Sequence, residues 1–152
     1  MAGSRPHTSP PSNSELYATS ARLPTIGSVA GSLATVLICE DEPALRELVR
    51  VSLVGEYSFL EAANGIECLA VARETRPDVV VLDLMMPRRN GLEVLGDLRR
   101  DEALADTPVI VLTAQPETRD EALRAGANLV MDKPFSPDQI SDAVQEVLAE
   151  TE

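Results

Sequence analysis

Polar side chains stand at the far ends of four short apolar, β-branched runs in this chain of 152 residues. Glu40 and Asp41 follow the first run, Asp83 and Thr113 close the second and third, and Lys133 follows the fourth. If each run is a strand of one open parallel sheet, the carboxyl ends of the strands meet at one edge, where ligands bind in a crevice. Three carboxylates, a hydroxyl and an ammonium group then come together, which predicts a site for a divalent cation and a phosphoryl group.

The apolar pattern alternates between strand-like runs and segments with helical spacing from Thr35 onward. The strand-like runs cover residues 35–40, 57–62, 78–83, 108–113 and 128–132, and the helical segments cover 42–54, 65–75, a stretch after Asn90-Gly91, 116–125 and a final stretch from Ser136-Pro137. Because 44% of residues are hydrophobic and 3% are aromatic, the core must be aliphatic. Five βα repeats with right-handed crossovers predict an α/β fold: a doubly wound five-stranded parallel sheet of order 2-1-3-4-5 with helices on both faces, a flavodoxin-like three-layer sandwich.

The N-terminal segment differs in composition from the rest of the chain. Half of residues 1–34 are Pro, Ser, Gly or Thr. A segment that buries so little apolar surface cannot offset its ordering entropy. We therefore expect a disordered tail over residues 1–33 and one domain over residues 34–152; the alternative is that the true start of the protein lies downstream.

The charge of the chain indicates which partners it can bind. The net charge is −12, and because the first 34 residues hold two arginines and one glutamate, the remainder carries −13. A domain this acidic repels a phosphate backbone, so we expect protein partners and no direct binding of nucleic acid.

The chain has no run of eighteen uninterrupted apolar residues, so no membrane span is expected. Two isolated cysteines, Cys39 and Cys68, are typical of small buried side chains in a reducing, cytoplasmic compartment rather than of a disulfide.

Each polar residue of the predicted site has an ordinary interpretation when it is taken alone. Asp41 suits the cap of the first helix, Asp83 a solvated loop, Thr113 the end of a strand, and Lys133 the solvated surface. These interpretations fail together, because carboxylates at the ends of adjacent strands raise one another's pKa unless a cation neutralises them. Oxygen ligands in this number favour Mg²⁺, the ammonium and hydroxyl suit a phosphoryl group, and one carboxylate is left to act as nucleophile.

Four sequence motifs resemble those of the receiver domain of two-component response regulators. They are Leu37-Ile38-Cys39-Glu40-Asp41-Glu42-Pro43, Leu82-Asp83-Leu84-Met85-Met86-Pro87 with Asn90-Gly91, Val111-Leu112-Thr113-Ala114, and Lys133-Pro134-Phe135. Each motif alone is weakly specific, but all four occur in order and on the expected elements. The resemblance covers about residues 34–150.

The resemblance implies roles for the acidic residues of the predicted site. Asp83 is expected to accept a phosphoryl group from a sensor histidine kinase or a phosphotransfer protein. The chain is then not an enzyme in the usual sense, but a phosphoacceptor that assists its own phosphorylation and dephosphorylation. Asp41, Asp83 and the backbone carbonyl of Met85 are expected to bind Mg²⁺ directly, with Glu40 acting through water. Glu40 stands where Asp is commoner, and its extra methylene suits a contact through water.

The resemblance also assigns the phosphoryl side of the site. Thr113 and Lys133 are expected to hold phosphoryl oxygens, and the Lys133–Pro134 peptide bond is expected to be cis. Val130 stands where many receivers have an aromatic residue that swings inward when the threonine binds the phosphoryl group. Because valine has no such movement, we expect the switch to act from Thr113 through the loop after the fourth strand and the fourth helix.

A downstream protein is expected to bind the face formed by helix 4, strand 5 and helix 5. The apolar residues of this region are expected to belong to the core rather than to an interface: Leu123, Ile140 and Val144. Any such switch must be a bistable element that the phosphoryl group biases.

Three functions remain open from the sequence. The first is a phosphorylation-dependent signalling module that acts through protein contacts. The second is the receiver part of a longer DNA-binding response regulator. The third is an aspartate-nucleophile phosphatase of the haloacid dehalogenase type, in which a second Asp follows the nucleophile by two positions; here Met85 takes that position after Asp83.

Overall fold

The structure, a computed structural model, describes residues 33–151 of the chain. Strands and α helices alternate along the described part, in the order β1 (Ala34–Cys39), α1 (Pro43–Leu53), β2 (Tyr57–Ala62), α2 (Gly65–Thr75), β3 (Val79–Asp83), α3 (Gly91–Arg100), β4 (Val109–Thr113), α4 (Arg119–Arg124), β5 (Leu129–Asp132) and α5 (Pro137–Glu150). Each predicted element is present, with bounds within one residue of those predicted except at α4. The predicted tail over residues 1–33 lies outside the described residues apart from Leu33.

The strands form one parallel sheet in the order β2-β1-β3-β4-β5, which confirms the predicted fold class. Strands β3 and β4 are buried along their whole length, which explains why they read as continuous aliphatic runs rather than alternating ones. The chain passes from β1 to β2 on one side and then returns to β3 on the other. The crevice between the carboxyl ends of β1 and β3 is therefore the topological switch point, where open α/β sheets bind ligands.

Helices cover both faces of the sheet, because successive side chains of each strand point to opposite faces. On β1, Leu37 and Cys39 lie in the core that contains residues of α2, α3 and α4. Val36 and Ile38 lie in the core that contains residues of α1 and α5. Within residues 33–151, none of the helices combines the length and apolar character that crossing a bilayer requires.

The starts of α5 and α1 differ in how their N-cap residues are used. Ser136, where the final helix is predicted to start, caps α5: its side chain accepts from the Gln139 N–H, and the Gln139 side chain accepts from the Ser136 N–H. Helix α1 begins at Pro43, and its N-cap residue is Glu42, whose side chain makes no capping bond. The ordinary interpretation of Asp41 as the cap of α1 is therefore wrong.

Helix α4 departs from the prediction of one helix over residues 116–125. Its first turn, Pro116–Thr118, is a 3₁₀ turn, and the α-helical part is limited to Arg119–Arg124. The Thr118 N–H donates to the Gln115 carbonyl at 2.9 Å, an i to i+3 bond that tightens this turn. Helical spacing in the sequence does not distinguish the two kinds of turn over so short a segment.

Cys39 and Cys68 are joined by a disulfide, so the expectation of two separate thiols is wrong. Cys39 ends β1 and Cys68 lies on α2, with their Cα atoms 5.9 Å apart and both side chains fully buried. The residues are 29 positions apart in sequence, but α2 packs against β1 and places both in the same core cluster. No local sequence pattern indicates that these two cysteines lie next to each other in the fold.

Candidate functional site

A cleft of about 370 Å³ opens at the carboxyl edge of the sheet. Its walls come from the end of β3, from the first turn of α1 and from the loops that follow β1, β3, β4 and β5. The lining residues are Glu40, Asp41, Glu42, Leu45, Asp83, Met85, Ala114 and Lys133. Four of the five polar residues predicted from the sequence therefore line one cleft, and the fifth, Thr113, is not among the lining residues.

Three carboxylates converge in this cleft. Glu40, Asp41 and Asp83 each offer an oxygen atom, and these atoms lie within 4.8 Å of one another. Glu40 and Asp83 are 1% and 2% exposed, whereas Asp41 is open to solvent. Buried carboxylates need a compensating positive charge. A set of hard oxygen donors that is open on one side suits Mg²⁺, which binds few protein oxygens and keeps several waters.

Lys133 supplies one positive charge directly. Its Nζ donates to Asp83 Oδ1 at 3.0 Å and to Glu40 Oε1 at 3.2 Å. The backbone positions it, because the Lys133 N–H donates to the Thr113 carbonyl at 2.8 Å. The following Lys133–Pro134 peptide bond is cis, as predicted. Lys133 thus reaches from the end of β5 to both buried carboxylates.

Burial shifts the pKa of both buried carboxyls upward. Desolvation raises the pKa of Glu40 from 4.5 to about 7, against the opposing hydrogen bond from the Glu42 N–H and with a further increase from the charge of Asp83. Burial also raises the pKa of Asp83, although its hydrogen bond to Lys133 acts in the opposite direction. For Lys133, burial alone would lower the pKa, but its bonds and charge interactions with Asp83 and Glu40 outweigh that effect and raise it. Lys133 therefore stays an ammonium group at neutral pH. A second cation beside Glu40 and Asp83 would favour their ionised forms, so the site favours binding of such a cation.

The Thr113 hydroxyl is engaged with the loop that follows β4. It accepts a hydrogen bond from the Gln115 N–H at 2.9 Å, and it lies 2.9 Å from the Thr118 hydroxyl. Val130 is 4% exposed and belongs to the same core cluster as Ala122 of α4. The predicted roles of Thr113 at a phosphoryl oxygen, and of Thr113 and Val130 in switching, stay predictions.

The predicted output region is more exposed than expected at one position. Ile140 and Val144 of α5 are fully buried, as predicted. Leu123 of α4 is 44% exposed, so its assignment to the core is wrong. The short α4 turns one large apolar side chain toward solvent beside β5, because six α-helical residues bury a narrow stripe.

A glycine allows α3 to begin directly against the end of β3. A Cβ atom on Gly91 would lie 2.5 Å from the carbonyl oxygen of Asp83 and 2.6 Å from the Cα of Leu84. The Gly91 N–H donates to the Leu84 carbonyl at 2.9 Å, which closes the loop between β3 and α3. Met85 in this loop is exposed and lines the cleft; the role of its carbonyl as a ligand stays a prediction.

Two contacts in the site involve residues that the sequence analysis did not assign. The Glu42 N–H donates to Glu40 Oε2 at 3.1 Å, and Arg46 Nη1 donates to the Glu40 carbonyl at 2.6 Å. The first uses the backbone, which any residue supplies. The second comes from a charged residue on an amphipathic helix, a pattern that indicates solvated surface. Neither contact had a sequence signal that could have revealed it.

A doubly wound α/β domain with three carboxylates and a lysine at its switch point is equipped for phosphoryl chemistry on a carboxylate. A family model described as the response regulator receiver domain matches residues 36–145. The chain belongs to the family of response regulator receiver domains.

Curated relatives support this assignment and are about twice as long as the matched region. The phosphate regulon transcriptional regulatory protein PhoB of Pseudomonas aeruginosa is 38% identical over 120 residues, which cover 77% of this chain and 52% of PhoB. The probable transcriptional regulatory protein TcrX of Mycobacterium tuberculosis is 39% identical over 124 residues, which cover 80% of this chain and 52% of TcrX. The chain thus spans about half the length of these relatives.

Solved structures show the same fold over the whole of a receiver domain. The chemotaxis response regulator CheY4 of Vibrio cholerae matches with a TM-score of 0.72 and 33% identity, over 76% of this chain and 98% of CheY4. The receiver domain of the Francisella response regulator 1452 matches with a TM-score of 0.73 and 29% identity, over 78% of this chain and 99% of that domain.

Proposed function

We propose that this chain is a phosphoacceptor of a two-component phosphorelay, which takes a phosphoryl group from a phosphohistidine onto Asp83. The donor is a sensor histidine kinase or a phosphotransfer protein. The observation that carries the proposal is the position of Asp83, whose Oδ1 is 3.0 Å from the Lys133 ammonium and which shares an acidic cluster with Glu40 and Asp41. Glu40 is a weaker candidate for the nucleophile, because both of its oxygens accept hydrogen bonds from Lys133 and from the Glu42 N–H.

The chemistry that we propose is a transfer between two nucleophiles. A carboxylate oxygen of Asp83 attacks phosphorus, the phosphorus–nitrogen bond of the phosphohistidine breaks, and the imidazole nitrogen leaves with the bonding electrons and takes up a proton. Lys133 stays protonated and donates to a phosphoryl oxygen, so it offsets the charge that spreads over the equatorial oxygens. In a separate hydrolysis step water attacks phosphorus, the oxygen–phosphorus bond breaks, Asp83 is released as carboxylate, and inorganic phosphate leaves with the oxygen and protons of the water.

Mg²⁺ is the cofactor that suits the acidic side of the site. Asp41, Asp83 and the Met85 carbonyl would hold it, and Glu40 would act through water. When bound, the ion supplies positive charge to the phosphoryl oxygens. The donor set fits this ion, since it consists of hard oxygen atoms within 4.8 Å of one another. The raised pKa values of Glu40 and Asp83 mean that binding is linked to release of protons.

Signalling is proposed to run from Thr113 to α4. To turn toward a phosphoryl oxygen, the Thr113 hydroxyl would move away from the Gln115 N–H and the Thr118 hydroxyl, and Thr118 immediately precedes α4. Loss of these bonds would free the 3₁₀ turn, so a downstream protein on the face of α4, β5 and α5 would meet a different surface. Exposed Leu123 on α4 supports an apolar contact there.

Acetyl phosphate labelling tests the central assignment. Wild-type protein, Asp83→Asn and Asp132→Asn are incubated with acetyl phosphate and MgCl₂, and the intact mass is measured. Asp132 is a suitable control because it also stands at the end of a strand but is exposed and paired with Arg119. We expect wild type and Asp132→Asn to gain one phosphoryl group and Asp83→Asn to gain none. Equal labelling of wild type and Asp83→Asn would refute the assignment.

A second candidate is that this receiver is one part of a longer DNA-binding response regulator. The observation in its favour is that the chain spans about half the length of relatives described as transcriptional regulators. Sequencing of the gene beyond the codon for Glu152 decides between the candidates. A downstream DNA-binding domain would make transcription the output, and a stop codon would leave protein contact as the output.

A further inference from the structure

We propose that Arg46 is a positioning residue for the cation site, which holds the peptide between Glu40 and Asp41 so that the Asp41 carboxylate faces Asp83. This inference rests on the proposed function in taking the ion to be Mg²⁺. Arg46 lies on α1, and the site residues that it affects, Glu40 and Asp41, directly follow β1.

Arg46 joins three elements through its guanidinium group. Its Nη1 donates to the Glu40 carbonyl at 2.6 Å, and its Nε donates to Glu61 Oε1 on β2 at 3.0 Å. The Arg46 side chain is 19% exposed, and its bond to the Glu40 carbonyl is partly buried, whereas Glu61 is 39% exposed and its bond to Arg46 faces solvent. Glu61 orients the planar guanidinium, and the other edge of the group is thereby directed at the Glu40 carbonyl.

The Glu40 carbonyl lies at the point where the chain leaves the sheet. The Glu40 N–H donates to the Ala62 carbonyl at 3.0 Å, and β2 ends at Ala62. Because the peptide unit is planar, fixing the Glu40 carbonyl also fixes the N–H and Cα of Asp41. The Glu40 side chain is held separately by Lys133 and the Glu42 N–H. Arg46 therefore controls the direction of Asp41, the exposed member of the acidic cluster.

Arg50 provides a matched comparison on the same helix. It pairs with Glu61 at 3.5 Å and also with Glu47, and its side chain is 42% exposed. Arg50 thus pairs with Glu61, the same carboxylate that anchors Arg46. Its ion pairs are made to side chains of α1 and β2, whereas Arg46 also contacts a backbone carbonyl. A variant at Arg50 loses the same charge and a similar ion pair, and it leaves the contact to the Glu40 carbonyl in place.

Charge and positioning predict opposite effects on Mg²⁺ binding. Removing a cation beside an anionic site favours binding of another cation, so loss of charge alone would tighten the Mg²⁺ affinity. Loss of positioning would weaken it, because Asp41 would no longer be held toward Asp83. The sign of the change therefore distinguishes the two roles.

The experiment is an NMR titration of the protein with MgCl₂ alone, which follows the amides of residues 40–41 and 83–85. We expect Arg46→Met to raise the dissociation constant about three- to tenfold, the size of effect that loss of one hydrogen bond of ordinary strength produces, because Arg46 acts on the ion through Asp41. Arg46→Lys should give a smaller increase, because an ammonium group cannot serve Glu61 and the Glu40 carbonyl in the same forked geometry. Arg50→Met should leave the dissociation constant unchanged or slightly lower.

An unchanged or lower dissociation constant in Arg46→Met would overturn the proposal, and so would an equal increase in Arg50→Met. If Arg46→Met does not fold, Arg46→Lys carries the test: an increase supports positioning, and a wild-type value rejects it. Acetyl phosphate labelling separates this result from the proposed function. A wild-type protein that binds Mg²⁺ without becoming labelled refutes phosphorylation at Asp83 and leaves the titration of the Arg46 variants decisive for positioning.

Discussion

The pH dependence of stability in the Mg²⁺-free protein follows directly from the buried carboxyls of the cleft. Burial raises the pKa of Glu40 from 4.5 to about 7 and shifts the pKa of Asp83 in the same direction. The unfolded chain releases the Glu40 proton near 4.5, whereas the folded chain holds it until about 7. The folded state therefore binds more protons between these values, and the free energy of unfolding falls as the pH rises through this range.

The size of the effect is set by how far the pKa of Glu40 moves. At about 1.4 kcal/mol for each pH unit, a rise from 4.5 to about 7 corresponds to a loss of about 3 kcal/mol. On this scale about 2 kcal/mol of the loss falls between pH 5.5 and pH 8. Domains of this size are typically stable by about 5–15 kcal/mol, so the change is readily measured.

Urea denaturation in the presence of EDTA provides the assay, at a series of pH values between 5.5 and 8. Wild-type protein should become less stable as the pH rises, and Glu40→Gln should show a much flatter profile because position 40 no longer titrates. Glu42→Gln is the matched control, since it removes a neighbouring exposed carboxylate that lines the same cleft. Addition of MgCl₂ should stabilise the wild type more at pH 8 than at pH 5.5, because the ion binds the ionised carboxylates.

Two results would contradict this reasoning. The first is a wild-type protein whose free energy of unfolding stays level or rises from pH 5.5 to pH 8 in EDTA. The second is a Glu40→Gln profile with the same slope as the wild type. Either would mean that burial of Glu40 does not hold its proton in the folded state.

Three further predictions concern single residues. Lys133→Met should reduce the rate of acetyl phosphate labelling of Asp83 by about tenfold or more, the size of effect that loss of a charge stabilising the transition state produces. Labelling at the wild-type rate would contradict the role in phosphoryl transfer that is inferred from its contact with Asp83 at 3.0 Å. Gly91→Ala should destabilise the fold by about 1–3 kcal/mol in urea denaturation, because its Cβ would overlap the Asp83 backbone, whereas Gly96→Ala should be tolerated since its new Cβ meets only a flexible side chain. Arg99→Ala should cost about 2–3 kcal/mol in the same assay, because its guanidinium donates to the carbonyls of residues 104, 105, 107 and 126; a loss below about 0.5 kcal/mol would show that water replaces these bonds.

The fold and most of the site could be predicted because they depend on local patterns. Aliphatic runs and helical spacing located the elements, and Ser136-Pro137 marked the start of α5. The convergence of Asp41, Asp83 and Lys133 followed from one rule of topology: parallel strands end at the same edge of a sheet. A residue at a strand end therefore has its approximate place in the fold before any contact is known.

The sequence by itself determined the order of strands and helices, the aliphatic core and the residue types at the carboxyl edge, since these follow from continuous apolar runs, from helical spacing of 3.6 residues and from the residues that directly end each run. The tertiary structure alone decided which side chains meet across elements. Cys39 bonds to Cys68 because α2 packs against β1, and Arg46 reaches the Glu40 carbonyl because α1 packs beside β2. These contacts join residues on separate elements. They depend on the distance and the relative orientation at which the elements pack, and neither of these produces a periodic pattern in the sequence. Thr113 is a further example. Its position at the end of β4 could be predicted from the sequence, but the contacts of its hydroxyl with Gln115 and Thr118 depend on how the following turn packs.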